Sequence, residues 1–171
     1  MYEIGAVMMH PSAGVCKITE IRTERRLGEA ARQYYVLKPL YERSSTVLTP
    51  VGSEKVRLRP LLSAGELQAL LEDGYRAPGD WIEDNKLRQA QYTQVVRSDN
   101  PGAIIRLIAE LLQKQEERQR QGKKLQAADE RLLAEAERRI DQEFAYALDI
   151  QPQEVAAYIR KQMQGDAEGT A

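Results

Sequence analysis

The spacing of apolar residues changes near Ser63, and this change constrains the fold more than any other feature of the chain. Before Ser63, apolar residues alternate with other residues in short segments, which is the period of a β-strand. After it, apolar residues recur every three or four positions, which is the period of an α-helix. The sequence therefore predicts a strand domain at 1–62, a helical domain at 63–162 and a disordered tail at 163–171.

Five short strands are predicted in the first domain. They are expected at 4–8, 14–25, 33–40, 45–51 and 56–61, with turn residues between them. Pro50 lies near the end of the fourth strand, where its missing N–H does least harm. Short strands at regular spacing are typical of a small antiparallel barrel.

Five amphipathic helices are predicted in the second domain. Ser63 begins the first with a capping box completed by Glu66, and Gly74 is expected to end it. Asp80 is expected to cap the second helix, and Asn100, followed by a proline, the third. Each helix has an apolar stripe, so the five should form a bundle. The expected fold class is α+β: a small antiparallel barrel followed by an all-α bundle.

Composition and charge limit the classes of protein to which this chain can belong. Of the 171 residues, 42% are hydrophobic and 30% charged, and no apolar run approaches the ~20 residues of a membrane span. The N-terminus lacks a signal-peptide pattern, and the single cysteine, Cys16, allows no internal disulfide, so a cytoplasmic location is expected. Residues 1–62 carry a net charge of +4 and residues 63–171 a net charge of −5, which argues against strong non-specific binding of nucleic acid.

The sequence lacks the groups of catalytic and ligand-binding residues that are typical of common enzymes. His10 is the only histidine and is expected in a turn, and Cys16 is expected to have a packing role in a strand. The glycines form no phosphate-binding loop, and the carboxylates have the spacing of solvated helix faces. We therefore expect a non-enzymatic binding protein without a metal or cofactor.

A set of short motifs occurs in a fixed order along the chain. The first domain contains Ile4-Gly5, a Pro11-Ser12-Ala13-Gly14-Val15 turn, and the segments QYYVLKPL, STVLTPV and VRLRPLLS. The second contains WIEDNKLR, GKKLQAADERLLAEAE and EFAYALDIQPQEVAAYI. This ordered set resembles the CarD/CdnL family of bacterial transcription regulators, in the variant of Firmicutes-type bacteria. The resemblance extends to about residue 160.

The resemblance implies a mechanism with two contacts. In this family a Tudor-like barrel, also found in the transcription-repair coupling factor, binds the β subunit of RNA polymerase through an edge strand. The helical domain contacts promoter DNA at the upstream edge of the melted region, where a tryptophan wedges into the minor groove and holds the open complex. Trp81, the only tryptophan, is the matching residue.

Candidate site residues follow from the same resemblance. For the polymerase they are Thr46, Val47 and Leu48 in the strand at 45–50, with Glu24 and Arg25 on the neighbouring strand. For DNA they are Trp81, Lys86, Arg88, Lys123, Lys124 and Arg131. The chain departs from better-known members in three ways: Glu83 and Asp84 follow Trp81, Glu130 takes a basic position, and Leu48 stands where a basic residue is expected.

Alternative interpretations remain open at this point. Trp81 is expected near the start of a helix, where it could wedge into DNA or pack at a structural joint. Lys123 and Lys124 could contact phosphate or lie in a solvated turn. The acidic second domain could also recruit another protein, which would make the chain a non-enzymatic adaptor on RNA polymerase. A monomer is expected because no heptad repeat persists.

Overall fold

The computed structural model describes residues 1–43 and 46–168, with side chains up to residue 162. The chain divides into two compact units, Met1–Leu62 and Ser63–Ala171. All described strands lie in the first unit and all described helices in the second, which confirms the predicted α+β class.

The first unit is a five-stranded antiparallel sheet. Its strands are β1 (Val7–His10), β2 (Gly14–Glu24), β3 (Arg32–Pro39), β4 (Val47–Pro50) and β5 (Arg59–Pro60). The order across the sheet is β4-β3-β2-β1-β5, so the pairing among the described residues leaves β4 and β5 as its two edges. Ser45, the first residue of the predicted fourth strand, lies outside the described residues.

A bulge at Thr19 bends the longest strand, β2. The pairing of β2 with β3 shifts by one residue between Ile18 and Glu20, and Thr19 Oγ1 donates a hydrogen bond to Val36 O at 3.1 Å. An extra residue of this kind bends a strand and increases its twist. The core of the first unit is formed by Met8, Cys16, Ile18, Tyr35, Leu37 and Leu58.

The second unit contains five helices. They are α1 (Ala64–Arg76), α2 (Asn85–Arg97), α3 (Pro101–Arg120), α4 (Ala127–Leu148) and α5 (Pro152–Glu168). Two predicted caps are confirmed: Ser63 and Glu66 form a capping box, and Asn100 Oδ1 accepts from Ala103 N at 3.0 Å. These side chains satisfy N–H groups that have no partner within the helix.

Two helix ends near Trp81 differ from the prediction. Helix α1 passes through Gly74 and ends at Arg76, because Gly74 is buried against α3 rather than forming a left-handed cap. Helix α2 is capped by Asp84 instead of Asp80: the Asp84 carboxylate accepts from Leu87 N at 2.7 Å. Trp81 therefore precedes the helix and lies in the non-helical segment 77–84.

Helix α5 is longer than predicted. A disordered tail is predicted from residue 163, but the backbone is helical through Glu168. Only one glycine and no proline interrupts residues 163–168, and an interior glycine costs a helix only about 1 kcal/mol. Residues 169–171 lie outside the described part of the chain.

The packing of α1 on α3 requires a glycine at position 74. An added Cβ would lie 2.8 Å from Ile105 Cγ2 and 3.3 Å from Arg106 N. We expect Gly74→Ala to lower the free energy of unfolding by about 1–3 kcal/mol, because overpacking outweighs the better helix propensity of alanine. Chemical denaturation followed by circular dichroism measures this change.

Gly65 in the same helix provides the matched control. A Cβ at position 65 would meet no atom within 4 Å, so Gly65→Ala should be neutral or stabilising by up to about 1 kcal/mol. Equal effects of the two substitutions would contradict the assigned packing of α1 against α3.

Candidate functional site

Strand β4 has an outer side without a partner among the described residues. Val51 N donates to Gln33 O at 2.9 Å, which marks a hydrogen-bonded pair. Because bonded and non-bonded pairs alternate along antiparallel strands, Tyr35 and Thr49 form the next bonded pair. The N–H and C=O of Leu48 therefore point away from β3, toward the open edge.

The side chains of β4 alternate in the same way. Val47 packs against the core, and Thr49 is only 2% exposed. Leu48 is 43% exposed, so it presents both its main-chain groups and an apolar side chain to solvent. Thr46, just before the strand, is exposed as well. The structure thus brings Thr46, Val47 and Leu48 together at one open edge.

Glu24 and Arg25 lie elsewhere in the sheet. Glu24 ends β2, and Arg25 follows it. The neighbour of β4 is β3, so the prediction that these two residues occupy the strand next to β4 is wrong. Strand β3 lies between β2 and β4 in the sheet, and the register places Arg32, rather than a β4 residue, opposite Glu24. An Arg22 side chain lies 3.8 Å from the Glu24 carboxylate.

Trp81 is half-buried among aromatic and cationic side chains of α2 and α3. Its ring meets the Tyr92 ring edge-on, with the centroids 6.2 Å apart and an interplanar angle of 71°. Arg88 Cζ lies 4.4 Å from the centroid of the indole ring, and Lys114 Nζ lies 5.2 Å from it. Cations at these distances are attracted to the negative face of an aromatic ring. We call Trp81, Arg88, Tyr92, Lys114 and Asp129 the Trp81 cluster.

Arg88 holds the cluster together with all five of its N–H donors. Its Nε and Nη2 donate to the two carboxylate oxygens of Asp129 at 3.0 and 2.9 Å. Nη1 donates to the main-chain oxygens of Ile82 and Glu83 at 2.8 and 3.3 Å, and Nη2 also donates to Asn85 Oδ1 at 2.7 Å. A guanidinium has no sixth donor. These bonds hold residues 82 and 83 outside the helix, so α2 begins only at Asn85.

The prediction that Arg88 contacts DNA is therefore wrong for this fold. Its side chain is 1% exposed, and its charge is neutralised by an equally buried Asp129. The sequence contains a signal of this burial, because Arg88, Tyr92 and Val96 lie four residues apart on one face of α2, and all three are buried. The neighbouring Leu87 is apolar but is 49% exposed.

Asp129 and Lys114 are the cluster members that sequence reasoning missed. Asp129 stands in the first turn of α4, where an acidic residue is common, and its carboxylate accepts a third bond from Gln89 Nε2 at 2.7 Å. Lys114 lies in the polar second half of α3. Neither residue has a local pattern that would reveal its partner, because the contacts are made between helices.

The remaining candidate DNA-binding residues are exposed. Lys86 lies in the first turn of α2, Arg131 lies just past Asp129 in α4, and Lys123 and Lys124 lie in the loop that leads into α4. The Arg88–Asp129 ion pair joins the first turns of α2 and α4. It therefore places Lys86 and Arg131 at the same end of the helical unit as Trp81.

Acidic side chains are also exposed at this end. Glu83, Asp84 and Glu130 are all open to solvent. Asp84 is occupied as the cap of α2. The surface around Trp81 therefore has mixed charge, which limits its attraction to phosphate.

His10 and Cys16 have structural roles. His10 is 6% exposed, and its Nδ1 accepts from Ser12 N and Ala13 N at 3.2 and 3.0 Å, which closes the turn after β1. Burial lowers the pKa of His10. Burial, with the nearby Glu42, raises the pKa of Cys16 to about 11, so the thiol is protonated at neutral pH. The described residues include no group of three or more side chains arranged to hold a metal ion.

Comparison with known proteins identifies the first unit. Residues 2–62 match the family of the CarD-like/TRCF RID domain. The first unit is a CarD-like RNA polymerase-interacting domain. Such a domain mediates protein interaction rather than catalysis, and it gives the chain a role in transcription through RNA polymerase.

The match ends where the sheet ends and does not include the helical unit. No curated protein matches the chain significantly. Among the described residues of the chain, each helix is too short or too polar to cross a bilayer.

The buried ion pair should dominate the stability of the helical unit. We expect Asp129→Asn to lower the free energy of unfolding by about 3–5 kcal/mol, because it leaves the Arg88 charge buried without a counter-ion. Chemical denaturation followed by circular dichroism and by Trp81 fluorescence measures the change.

The exposed ion pair between Asp73 and Arg106 is the control. Its atoms are 3.4 Å apart and its side chains are more than half exposed, so Asp73→Asn should cost less than about 1 kcal/mol. If Asp129→Asn is no more destabilising than Asp73→Asn, the Arg88–Asp129 pair does not hold the cluster.

Proposed function

We propose that this chain is a transcription regulator that binds the β subunit of RNA polymerase through β4 and stabilises the promoter open complex. The second contact is with DNA at the upstream edge of the melted region, through the Trp81 cluster and the exposed basic residues beside it. The observation that carries the proposal is the CarD-like domain at residues 2–62, in which β4 is an open edge. A monomer suffices for both contacts.

The geometry of β4 suits strand addition by a partner. An extended segment that pairs with an open edge gains main-chain hydrogen bonds, and these do not depend on particular side chains. Leu48 supplies an outward N–H and C=O, and its exposed side chain supplies apolar area. Pro50, two residues later, has the same outward orientation but no N–H, so it limits the pairing to the first part of the strand.

The helical unit supplies the proposed DNA contact. Trp81 lies outside a helix and is half-buried, so part of an apolar ring is available to a distorted base step in a minor groove. Lys86, Lys123, Lys124 and Arg131 are exposed and can reach phosphates beside it. Arg88 contributes indirectly, because it fixes the segment that carries the tryptophan.

The DNA contact can be weak and still be effective. Residues 63–171 have a net charge of −5, and Glu83 and Glu130 are exposed near Trp81, so we expect little binding to free DNA. Attachment to the polymerase raises the local concentration of the helical unit at the promoter. About 1.4 kcal/mol of preference for open over closed DNA shifts that equilibrium tenfold.

A protein adaptor is the second candidate function. The acidic charge of the helical domain and the exposed carboxylates beside Trp81 favour it. The two functions differ in what lies against Lys124 in a polymerase complex. A photo-crosslinker at this exposed position would join to promoter DNA if the chain acts as a regulator, and to a polypeptide if it acts as an adaptor.

Leu48→Pro tests the polymerase contact. The substitution removes the outward N–H of Leu48, and proline is tolerated at an edge position whose N–H makes no bond within the sheet. We expect the dissociation constant for the RNA polymerase β subunit to rise at least about tenfold, because a main-chain hydrogen bond of the added strand is lost. Biolayer interferometry with immobilised β subunit measures this constant.

Leu48→Ala is the matched control. It removes the exposed side chain but keeps the N–H, so its effect should be clearly smaller than that of Leu48→Pro. Thermal melts of both variants establish that the sheet remains folded. A folded Leu48→Pro variant that binds as well as wild type would refute pairing through β4.

A further inference from the structure

The helical unit contains a cavity next to the Trp81 cluster. Its volume is about 270 Å³, and it lies between the segment 77–84, α2 and α3. The polar residues on its wall are Asp80, Gln91, Tyr92, Arg106 and Glu110. The rest of the wall is mainly apolar. This volume is many times that of one water molecule and suits a compact organic ligand.

Two side chains that line this cavity each have a buried polar atom without a hydrogen-bond partner among the described residues. The two atoms are Tyr92 Oη and Glu110 Oε1. The two side chains are 4% and 7% exposed. Buried polar groups in native proteins are nearly always hydrogen-bonded, because an unsatisfied one costs free energy. Two such atoms on side chains that line one cavity favour a ligand that donates hydrogen bonds once these side chains turn toward it.

The Glu110 carboxyl group lies close to the backbone of Gly79. A Cβ at position 79 would collide with Glu110 Oε2, so the glycine leaves the space that the carboxyl group occupies. Burial, with the charge of Asp80, raises the pKa of Glu110 to about 7. The group is therefore ready to ionise near neutral pH when a positive charge enters the cavity.

We propose that this cavity binds a small organic cation with a guanidinium or ammonium group, with Glu110 as its counter-ion and Tyr92 as a second acceptor. The charges on the wall favour a cation, because Asp80 and Glu110 are both acidic and Arg106 is paired with Asp73. A guanidinium donates two parallel hydrogen bonds to a carboxylate and has further donors for a hydroxyl oxygen. Among the residues that line this site, Tyr92 also belongs to the Trp81 cluster, but its side chain is buried.

Trp81 provides a direct signal for binding. It is the only tryptophan of the chain, and its ring centroid lies 6.2 Å from that of Tyr92. A ligand that bonds to the Tyr92 hydroxyl should therefore change the fluorescence of Trp81. The measurement uses the full chain without polymerase or DNA, so its outcome is independent of the proposed function.

The test is a fluorescence titration of the full-length protein with methylguanidinium chloride at pH 8. We expect a saturable change that urea, a neutral planar analogue, and sodium chloride at matched ionic strength do not produce. Glu110→Gln should weaken binding at least tenfold, because it removes the charge with little change of shape. Tyr92→Phe should weaken it several-fold. Glu116→Gln, an exposed position on the same helix, should leave it unchanged.

The pH dependence has a defined sign. The charged and titratable groups around Glu110 are Asp80 before α2, Tyr92 on α2, and Arg106 and Lys114 on α3, with Asp73 of α1 bonded to Arg106. Among these, Glu110 has the pKa of about 7 and changes charge between pH 6 and pH 8. The cation binds the ionised form, so affinity should be about tenfold higher at pH 8 than at pH 6.

Three results would overturn the proposal. One is a response to methylguanidinium that does not saturate or that urea reproduces. Another is undiminished binding by a folded Glu110→Gln variant. The third is that Tyr92→Phe binds the cation as tightly as wild type does, and that wild type binds it as tightly at pH 6 as at pH 8. Circular dichroism of each variant establishes its fold before the titration.

Discussion

The ion pair between Arg88 and Asp129 is the interaction on which the arrangement of the helical unit depends. A buried charge is costly unless its partner and its remaining hydrogen bonds are all satisfied. Arg88 meets this condition by using every N–H donor of its guanidinium, on one carboxylate, one side-chain amide and two main-chain oxygens. The same bonds set the start of α2, connect it to α4 and hold the segment that carries Trp81. A side chain predicted to contact DNA therefore acts as the internal support of the proposed contact.

The proposed function divides between the two units according to their physical properties. The sheet offers main-chain groups at an open edge, which can give affinity for a protein strand. The helical unit offers an aromatic ring and scattered lysines within an acidic domain, which can give only a weak contact with DNA. Tethering by the first contact makes the second effective, so neither unit needs the strong basic surface of an independent DNA-binding protein.

Features set by local chemistry were predictable from the sequence. The change of period at Ser63, the capping box there and the Asn100 cap are all found, because each depends on residues within a few positions of one another. Contacts between distant residues explain the differences. Asp80 and Asp84 both fit a helix cap, and the bonds of Arg88 decide between them. Arg88 itself is buried by a partner 41 residues away. Gly74 resembles a helix terminator but is a packing position against α3. The cavity beside Glu110 is likewise formed by three separate segments.

The central claim is that Trp81, held by its cluster, stabilises melted promoter DNA when the chain is bound to RNA polymerase. Promoter opening by purified bacterial RNA polymerase, followed with a fluorescent base in the melted region, tests it most directly. The protein should increase the amount of open complex, and Trp81→Ala should abolish that increase while polymerase binding is retained. Leu87→Ala, at an exposed apolar position of α2, serves as the control and should behave as wild type. An increase that survives Trp81→Ala would contradict the account.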